Sequence, residues 1–426
     1  MEGERRTAYL TLMDIEQDKA YSNLALNHRI SVSKPKSKAF VRRLVYGVLE
    51  NRIYLDYIIE HFLKDPSGKL EASERTILRM GLYQLIYMDS IPAYAAVAET
   101  VDLAKRYCKG RDGFINAVLR NYLRSGDEIA LPQREADEST FLSIKYSYAK
   151  WIVDMWLKEY GPEFTEELLA AGNRAPKLTI RVNLLKNSKK SLKRRLELKK
   201  YKVEEGRLSS NALKVTEGED LLETGLYKNG LFSVQDESSM AVVEMLNPAP
   251  NEFIIDVCAA PGGKTLYIAE RMENSGRIIA RDIYKKKLDL LTEDAKRLGI
   301  TIVEAGTWDA VIADSDLEEA ADRVLVDAPC SGLGVIKRKP EIKYKEQDEI
   351  IGLPEIQLRI LRASSSYVKK GGVLVYSTCT INPAENRQVV DEFLKNNAKF
   401  VKEDSVELFP NINDTDGFYI CIMKRQ

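Results

Sequence analysis

Histidine is almost missing from this chain: there are two in 426 residues, His28 and His61, both near the start. A remainder without histidine excludes a Ser-His or Cys-His nucleophile pair there, and histidine-based metal ligation with it. Cysteine is sparse as well. The five cysteines, at 108, 258, 330, 379 and 421, are odd in number, scattered and without a Cys-x-x-Cys pair, so they read as reduced thiols rather than a disulfide frame or a metal site. Net charge is also lacking, because 64 Lys plus Arg balance 64 Asp plus Glu, and any surface for nucleic acid must therefore be local. No apolar run approaches the roughly 20 residues of a membrane helix, and the start Met1-Glu2-Gly3-Glu4-Arg5-Arg6 lacks the apolar centre of a signal peptide. A cytoplasmic protein with no membrane segment is expected.

The length exceeds one ordinary core, so two or three domains are expected. From Tyr9 to about Arg124 the apolar spacing is helical, as in Phe40, Leu44 and Val48, then Leu55, Ile58, Ile59 and Phe62, then Leu78, Leu82 and Leu85. Pro35, Pro66-Ser67-Gly68, Ile91-Pro92 and Gly110 to Gly113 punctuate it. A polar, acidic stretch around Leu131-Pro132 reads as a linker, and a helical stretch from Phe141 to Gly172 follows, with Trp151 and Trp156 packed. Beyond Pro176 the chain changes character. Leu178 to Asn183 alternates like a strand, and residues 181 to 202 hold ten Lys or Arg against one acid, Glu197. Such a run is often only a solvated helix face, yet in a neutral protein it is also a candidate for phosphate contact. Strand-like pieces at Leu213 to Val215 and Leu231 to Val234 complete a small α+β module. From about Glu252 strands and helices alternate, with strands expected at 253–257, 277–281, 301–303, 323–326, 373–376 and 418–423. That alternation argues for a doubly wound, mostly parallel sheet, the last strand forming an antiparallel edge hairpin.

The stretch Asp256-Val-Cys-Ala-Ala-Pro-Gly-Gly-Lys-Thr265 falls where a strand turns into a helix, the place at which an open α/β sheet binds its ligand. A P-loop would need a glycine where Cys258 stands, and a Gly-x-Gly-x-x-Gly fingerprint is absent, so both nucleotide readings fail. An ordinary glycine turn would remain the plain alternative if the stretch stood alone. It is joined by Arg323-Val-Leu-Val-Asp327-Ala-Pro-Cys330-Ser-Gly332 and Gly371-Gly-Val-Leu-Val-Tyr-Ser377-Thr-Cys379, each a β-branched run ending in a thiol.

These three motifs closely resemble those of RNA cytosine-C5 methyltransferases of the Sun or RsmB type. Phe114 to Arg120 resembles the end of the NusB-like RNA-binding domain of those enzymes, Gln235-Asp-Glu-Ser-Ser239 their junction with the catalytic domain, and Asn382-Pro-Ala-Glu-Asn386 and Asp416-Gly-Phe-Tyr419 further family stretches. The resemblance implies an all-α NusB-like bundle at 1–128, a small α+β RNA-recognition-like subdomain at 139–248, and an α/β Rossmann-like class I methyltransferase domain at 249–426. Two departures stand out: Tyr148-Ala149 replaces a His-Pro pair common in relatives, and Glu341 follows Pro340 where Asp is commoner. The basic loop from Gly334 to Tyr344 fits the family's loop beside the RNA cleft.

The implied cofactor is S-adenosylmethionine, held by Cys258, Ala259, Ala260, Pro261, Gly262, Gly263 and Lys264, with Asp282 on the ribose diol, Asp309 near the adenine, and Asp327 toward the methionine amino group or the target base. No metal is expected. Cytosine C5 is a poor nucleophile until something adds to C6, and a thiolate suits that addition. By resemblance Cys379 is the nucleophile and Cys330 assists proton removal or release, although DNA cytosine methyltransferases use the Pro-Cys position as nucleophile. Lys264 and Asp327 complete the catalytic set by hydrogen-bonding the ring. The expected substrate is small-subunit ribosomal RNA, unpaired or opened at the target, and the protein a monomer. A transfer-RNA methyltransferase and a non-catalytic RNA-binding factor are the rivals.

Overall fold

The computed structural model describes residues 2–18, 20–63, 69–125, 129–218 and 220–426. The expected turn at Pro66-Ser67-Gly68 lies outside them. Two compact units are formed, one by Met1–Arg174 with Ile336–Glu346, the other by Ala175–Val335 with Gln347–Gln426.

The first unit is helical. Its helices are α1 (Glu2–Asp18), α2 (Ser22–Ser33), α3 (Lys38–Glu50), α4 (Arg52–His61), α5 (Ala72–Tyr87), α6 (Ala93–Tyr107), α7 (Asp112–Ser125), α8 (Glu138–Tyr146), α9 (Lys150–Tyr160) and α10 (Pro162–Gly172). Local chemistry sets several ends. Glu71 and Glu74 form a reciprocal capping box before α5, Asp137 caps α8 through the Thr140 N–H, and Gly161 at φ 78° closes α9 and admits Pro162 into the first turn of α10. The apolar periodicity is the buried face, for Val41, Leu44, Leu55, Leu78 and Leu82 are all excluded from water. Trp156 is buried beside Tyr148, whereas His28 and His61 are exposed.

The segment Ile336–Glu346 packs as part of this helical unit. Lys343 is completely buried there, its ammonium donating to the carbonyls of Glu50 (2.8 Å) and Tyr146 (3.2 Å) over the Tyr148 ring. Glu341 accepts the Ser22 N–H at 3.1 Å and the Ser22 hydroxyl at 2.7 Å, capping the start of α2. The sequence expectation of a basic loop lining an RNA cleft is thus corrected for Lys343, which burial turns into an internal fastener, while the partly buried Glu341 is engaged by Ser22. The departures at 148 and 341 sit in this same cluster.

In the second unit, β1 (Leu178–Val182), β2 (Lys202–Glu205), β3 (Ala212–Glu217) and β4 (Phe232–Val234) form an antiparallel sheet of order β2-β3-β1-β4, joined by α11 (Lys189–Leu198) and α12 (Gly225–Lys228). Helix α13 (Glu237–Leu246) leads to the larger sheet. There β5 (Phe253–Asp256), α14 (Gly263–Arg271), β6 (Arg277–Asp282), α15 (Lys285–Leu298), β7 (Val303–Thr307), β8 (Ala321–Asp327), α16 (Leu353–Ser365), β9 (Val368–Thr378), α17 (Arg387–Lys395), β10 (Phe400–Leu408) and β11 (Phe418–Arg425) follow in turn. Their order is β10-β11-β9-β8-β5-β6-β7. Strands β5 to β9 are parallel to one another, and β11 is antiparallel to both β9 and β10.

Two strand expectations change. The final strand is antiparallel as read, but β10 takes the edge and β11 is inserted beside β9. The third parallel strand begins at Val303, where 301–303 was expected, because this outer strand is largely exposed and carries no apolar alternation. Among the described residues no helix is long and apolar enough to cross a membrane.

Candidate active site

Parallel register brings the three motifs to one sheet edge. Asp256 pairs with Leu325, and Asp327 at the end of β8 pairs with Ser377 near the end of β9. Each chain then leaves the sheet in the same direction, and Cys330 and Cys379 meet with their sulfurs 3.3 Å apart. Gly334 makes this approach possible. Its N–H donates to the Cys379 carbonyl at 3.0 Å, and a Cβ there would lie 2.0 Å from the Gly417 carbonyl oxygen.

Lys264, in the first turn of α14, reaches Asp327 at 2.6 Å, while the Ser377 hydroxyl donates to the other carboxylate oxygen at 2.8 Å. Burial pulls the Lys264 ammonium down, but the Asp327 carboxylate more than offsets it, and the pKa stands above the usual lysine value. The thiolate form of Cys379 would act on Lys264 in the same direction. Cys330 has its thiol pKa pushed well up, first by its hydrogen bond to Cys379 and then by burial. Asp256, fully enclosed, is raised to about 7 by burial, partly countered by the Thr265 hydroxyl at 2.7 Å. Burial also raises the Cys258 thiol well above its ordinary range.

The glycine turn has the form expected of a ligand cradle. Gly262 stands at φ 112° as the N-cap of α14 without a side-chain cap, and a Cβ there would approach Leu291 to 2.7 Å. The missing side chain at Gly262 makes room for Leu291 of α15, while Pro261 and Gly263 are exposed beside a helix start that no side chain caps, which suits an anionic ligand group. Asp282 ends β6 and accepts the Ala260 N–H at 3.2 Å and the Tyr284 N–H at 2.9 Å, leaving carboxylate lone pairs for a diol. Asp309 follows β7, is exposed, and accepts the Val311 N–H at 3.1 Å, a turn-capping bond. With Ala259 and Pro261 in the turn, this donor and acceptor set fits S-adenosylmethionine.

Several residues were invisible to motif reading. Arg181, counted from sequence among the RNA-facing cations, is wholly buried: it pairs with Glu270 at 2.8 Å, donates to Gln235, and donates to the Gly263 carbonyl at 2.8 Å. It braces the glycine turn and cannot reach RNA, which corrects that part of the basic count. Lys186 likewise donates to two backbone carbonyls, and Lys189 bridges to Glu205. Lys190, Arg194, Arg195, Lys199 and Lys200 are exposed on or just after α11. Glu385 and Asn386, six and seven residues after Cys379, also enter the site, signalled in sequence only by the stretch from Asn382 to Asn386, and Gln357 enters with no sequence signal.

A parallel core of this order, with a glycine turn after its first strand and an acidic end to its second, defines a class I methyltransferase fold, here fitted with two thiols. Family models resolve it further. Residues 243–424 match the 16S rRNA methyltransferase RsmB/F model, residues 2–124 the NusB family, and residues 148–221 the ferredoxin-like domain of RsmF/B-like methyltransferases. The chain is 40% identical to the probable ribosomal RNA small subunit methyltransferase B of Bacillus subtilis, across 99% of this chain and 98% of that one. It is 33% identical to ribosomal RNA small subunit methyltransferase B of Vibrio cholerae, across 92% and 91%. Among solved structures, a methyltransferase homolog protein from Pyrococcus horikoshii superposes with a TM-score of 0.61 at 26% identity, over 68% of this chain and 99% of that one. The chain belongs to the RsmB/F methyltransferase family.

Proposed function

We propose that this enzyme methylates C5 of a specific cytosine in 16S ribosomal RNA, using S-adenosylmethionine and a covalent cysteine–C6 adduct. The observation that carries the reading is the pair of thiols, Cys330 and Cys379, 3.3 Å apart at the sheet edge beside the Lys264–Asp327 pair. The names of the full-length relatives support the ribosomal substrate.

The cofactor supplies an electrophilic methyl group; the chain does the rest. Cys258 to Lys264, with Asp282, Asp309 and Asp327, would hold it. The Cys379 sulfur bonds to C6 of the ring, and the displaced electron pair makes C5 nucleophilic. Lys264, kept charged by Asp327, sets a cation beside the cleft where a thiolate must form, and the pair offers hydrogen bonds to the ring. After C5 has taken the methyl group, the C5 proton passes to water as the C6–sulfur bond breaks and Cys379 leaves as thiolate, which restores the double bond. Cys330, a neutral thiol in contact with the Cys379 sulfur, assists by donating its S–H to the departing thiolate. Exposed cations of α11 supply phosphate contacts, and the base is taken from an unpaired or opened segment. We take the enzyme to be a cytoplasmic monomer with the three sequence segments proposed above.

The test is Cys379→Ala. Methyl incorporation is expected to vanish while S-adenosylmethionine still raises the melting temperature, a shift that a pure RNA binder would not show. Methylation surviving in this variant would remove Cys379 from the nucleophile's role.

A further inference from the structure

Two adjacent residues, Glu385 and Asn386, grip the flanks of both thiols. Glu385 is completely buried, and its carboxylate is surrounded by donors: the Ser331 N–H at 2.8 Å, the Ser331 hydroxyl, the Gln357 amide at 2.9 Å and the Asn382 amide at 2.9 Å. The same Gln357 amide donates to the Pro329 carbonyl at 2.9 Å. Pro329 precedes Cys330 and Ser331 follows it, so Glu385 fixes the second thiol from both sides. Asn386 does the same for the first. Its side-chain oxygen accepts the Thr378 hydroxyl at 2.5 Å and its amide donates to the Thr380 carbonyl at 3.0 Å, the residues on either side of Cys379. The two grips are joined where the Ser331 and Thr380 hydroxyls meet at 2.6 Å.

We propose that Glu385 and Asn386 are positioning residues with separate duties, Asn386 placing Cys379 for attack on C6 and Glu385 placing Cys330 for release of the adduct. The inference rests on the covalent reading above. A buried carboxylate meeting this many donors is costly unless all are kept, so its geometry is rigidly determined. Each grip closes on the neighbours of its own thiol, and the two meet at the Ser331–Thr380 contact, at the sulfur pair and along the Glu385–Asn386 peptide. Displacing a reacting group by about 1 Å costs on the order of 100-fold in rate, and each grip should therefore control the step its own thiol serves.

The experiment compares full-length Glu385→Gln, Asn386→Ala and Cys330→Ala with the parent chain, using small-subunit ribosomal RNA and S-adenosylmethionine. Denaturing gels report covalent adduct, single-turnover labelling reports methyl transfer, and melting reports folding. Glu385→Gln is expected to accumulate adduct as Cys330→Ala does, with release slowed about 100-fold. Asn386→Ala is expected to slow adduct formation by a similar factor without accumulation. A merely structural role would lower both steps together. Folded Glu385→Gln that releases product at the parent rate overturns the proposal; where it does not fold, Gln357→Met, which breaks the link to Pro329, takes its place under the same criteria.

Absence of adduct from Cys330→Ala as well would instead overturn the release role given to Cys330 under the proposed function. In that case alkylation of Cys330 by iodoacetamide, mapped by peptide mass, still tests without RNA whether Glu385 holds Cys330. The Glu385 charge is one cause of the raised Cys330 pKa, so Glu385→Gln should shift the alkylation profile to lower pH. An unmoved profile would show no hold of Glu385 on Cys330.

Discussion

Lys264 and Asp327 are unequal partners at residue scale. The ammonium bearer is 11% exposed and the carboxylate bearer 27%. Asp327 retains the Ser377 hydroxyl if the lysine is removed, whereas Lys264 without Asp327 has the face of the Phe418 ring, 5.0 Å away, in place of its counter-ion. Asp327→Asn should therefore cost about 3 kcal/mol of stability and Lys264→Met about 1 kcal/mol, as urea unfolding will measure. Equal losses would contradict this asymmetry. Both residues were readable in sequence because each sits inside a motif. Arg181 was not, since its partner Glu270 lies 89 positions away and a charge count cannot distinguish a buried ion pair from a solvated face. Glu385 was legible only as part of the Asn382–Asn386 stretch, and its role was not, because its bond to Ser331 spans 54 positions.

At the scale of elements, Ile336–Glu346 shows how burial redirects a charge. Burial drives the Lys343 ammonium down to about 7, and the Glu50 carboxylate offsets only part of that. An unfolded lysine keeps its proton up to about pH 10.4. Between these values the unfolded chain binds the additional proton, so this residue makes stability rise with pH across the window, its penalty being complete below it. Lys343→Met should flatten the stability profile between about pH 7.5 and 9.5 by about 1.4 kcal/mol per unit, followed by urea unfolding at each pH. A variant whose profile keeps the parent's slope would refute the assignment. Central strands were legible because both faces of the sheet are covered and the runs are apolar. Strand β10 was not: Lys402, Glu403, Asp404 and Glu407 interrupt its alternation, as suits an edge exposed to water.

For the molecule as a whole, balanced charge leaves affinity for RNA to local features, and the exposed cations of α11 are one such feature. Helical periodicity identified the N-terminal bundle, and strand-helix alternation identified the catalytic sheet with its five-strand parallel core. What the sequence could not display was how the chain divides, since Ile336–Glu346 joins a unit whose other residues end at Arg174. Long-range return of a short segment leaves no periodic trace. The central claim is chemical, that paired thiols on this scaffold methylate one cytosine of small-subunit ribosomal RNA. Its most direct test is transfer of labelled methyl from S-adenosylmethionine to naked 16S ribosomal RNA, with transfer RNA in parallel and the modified base mapped by bisulfite sequencing. A single protected cytosine in the ribosomal RNA is the predicted result; label confined to transfer RNA, or label in neither RNA despite cofactor binding, would contradict it.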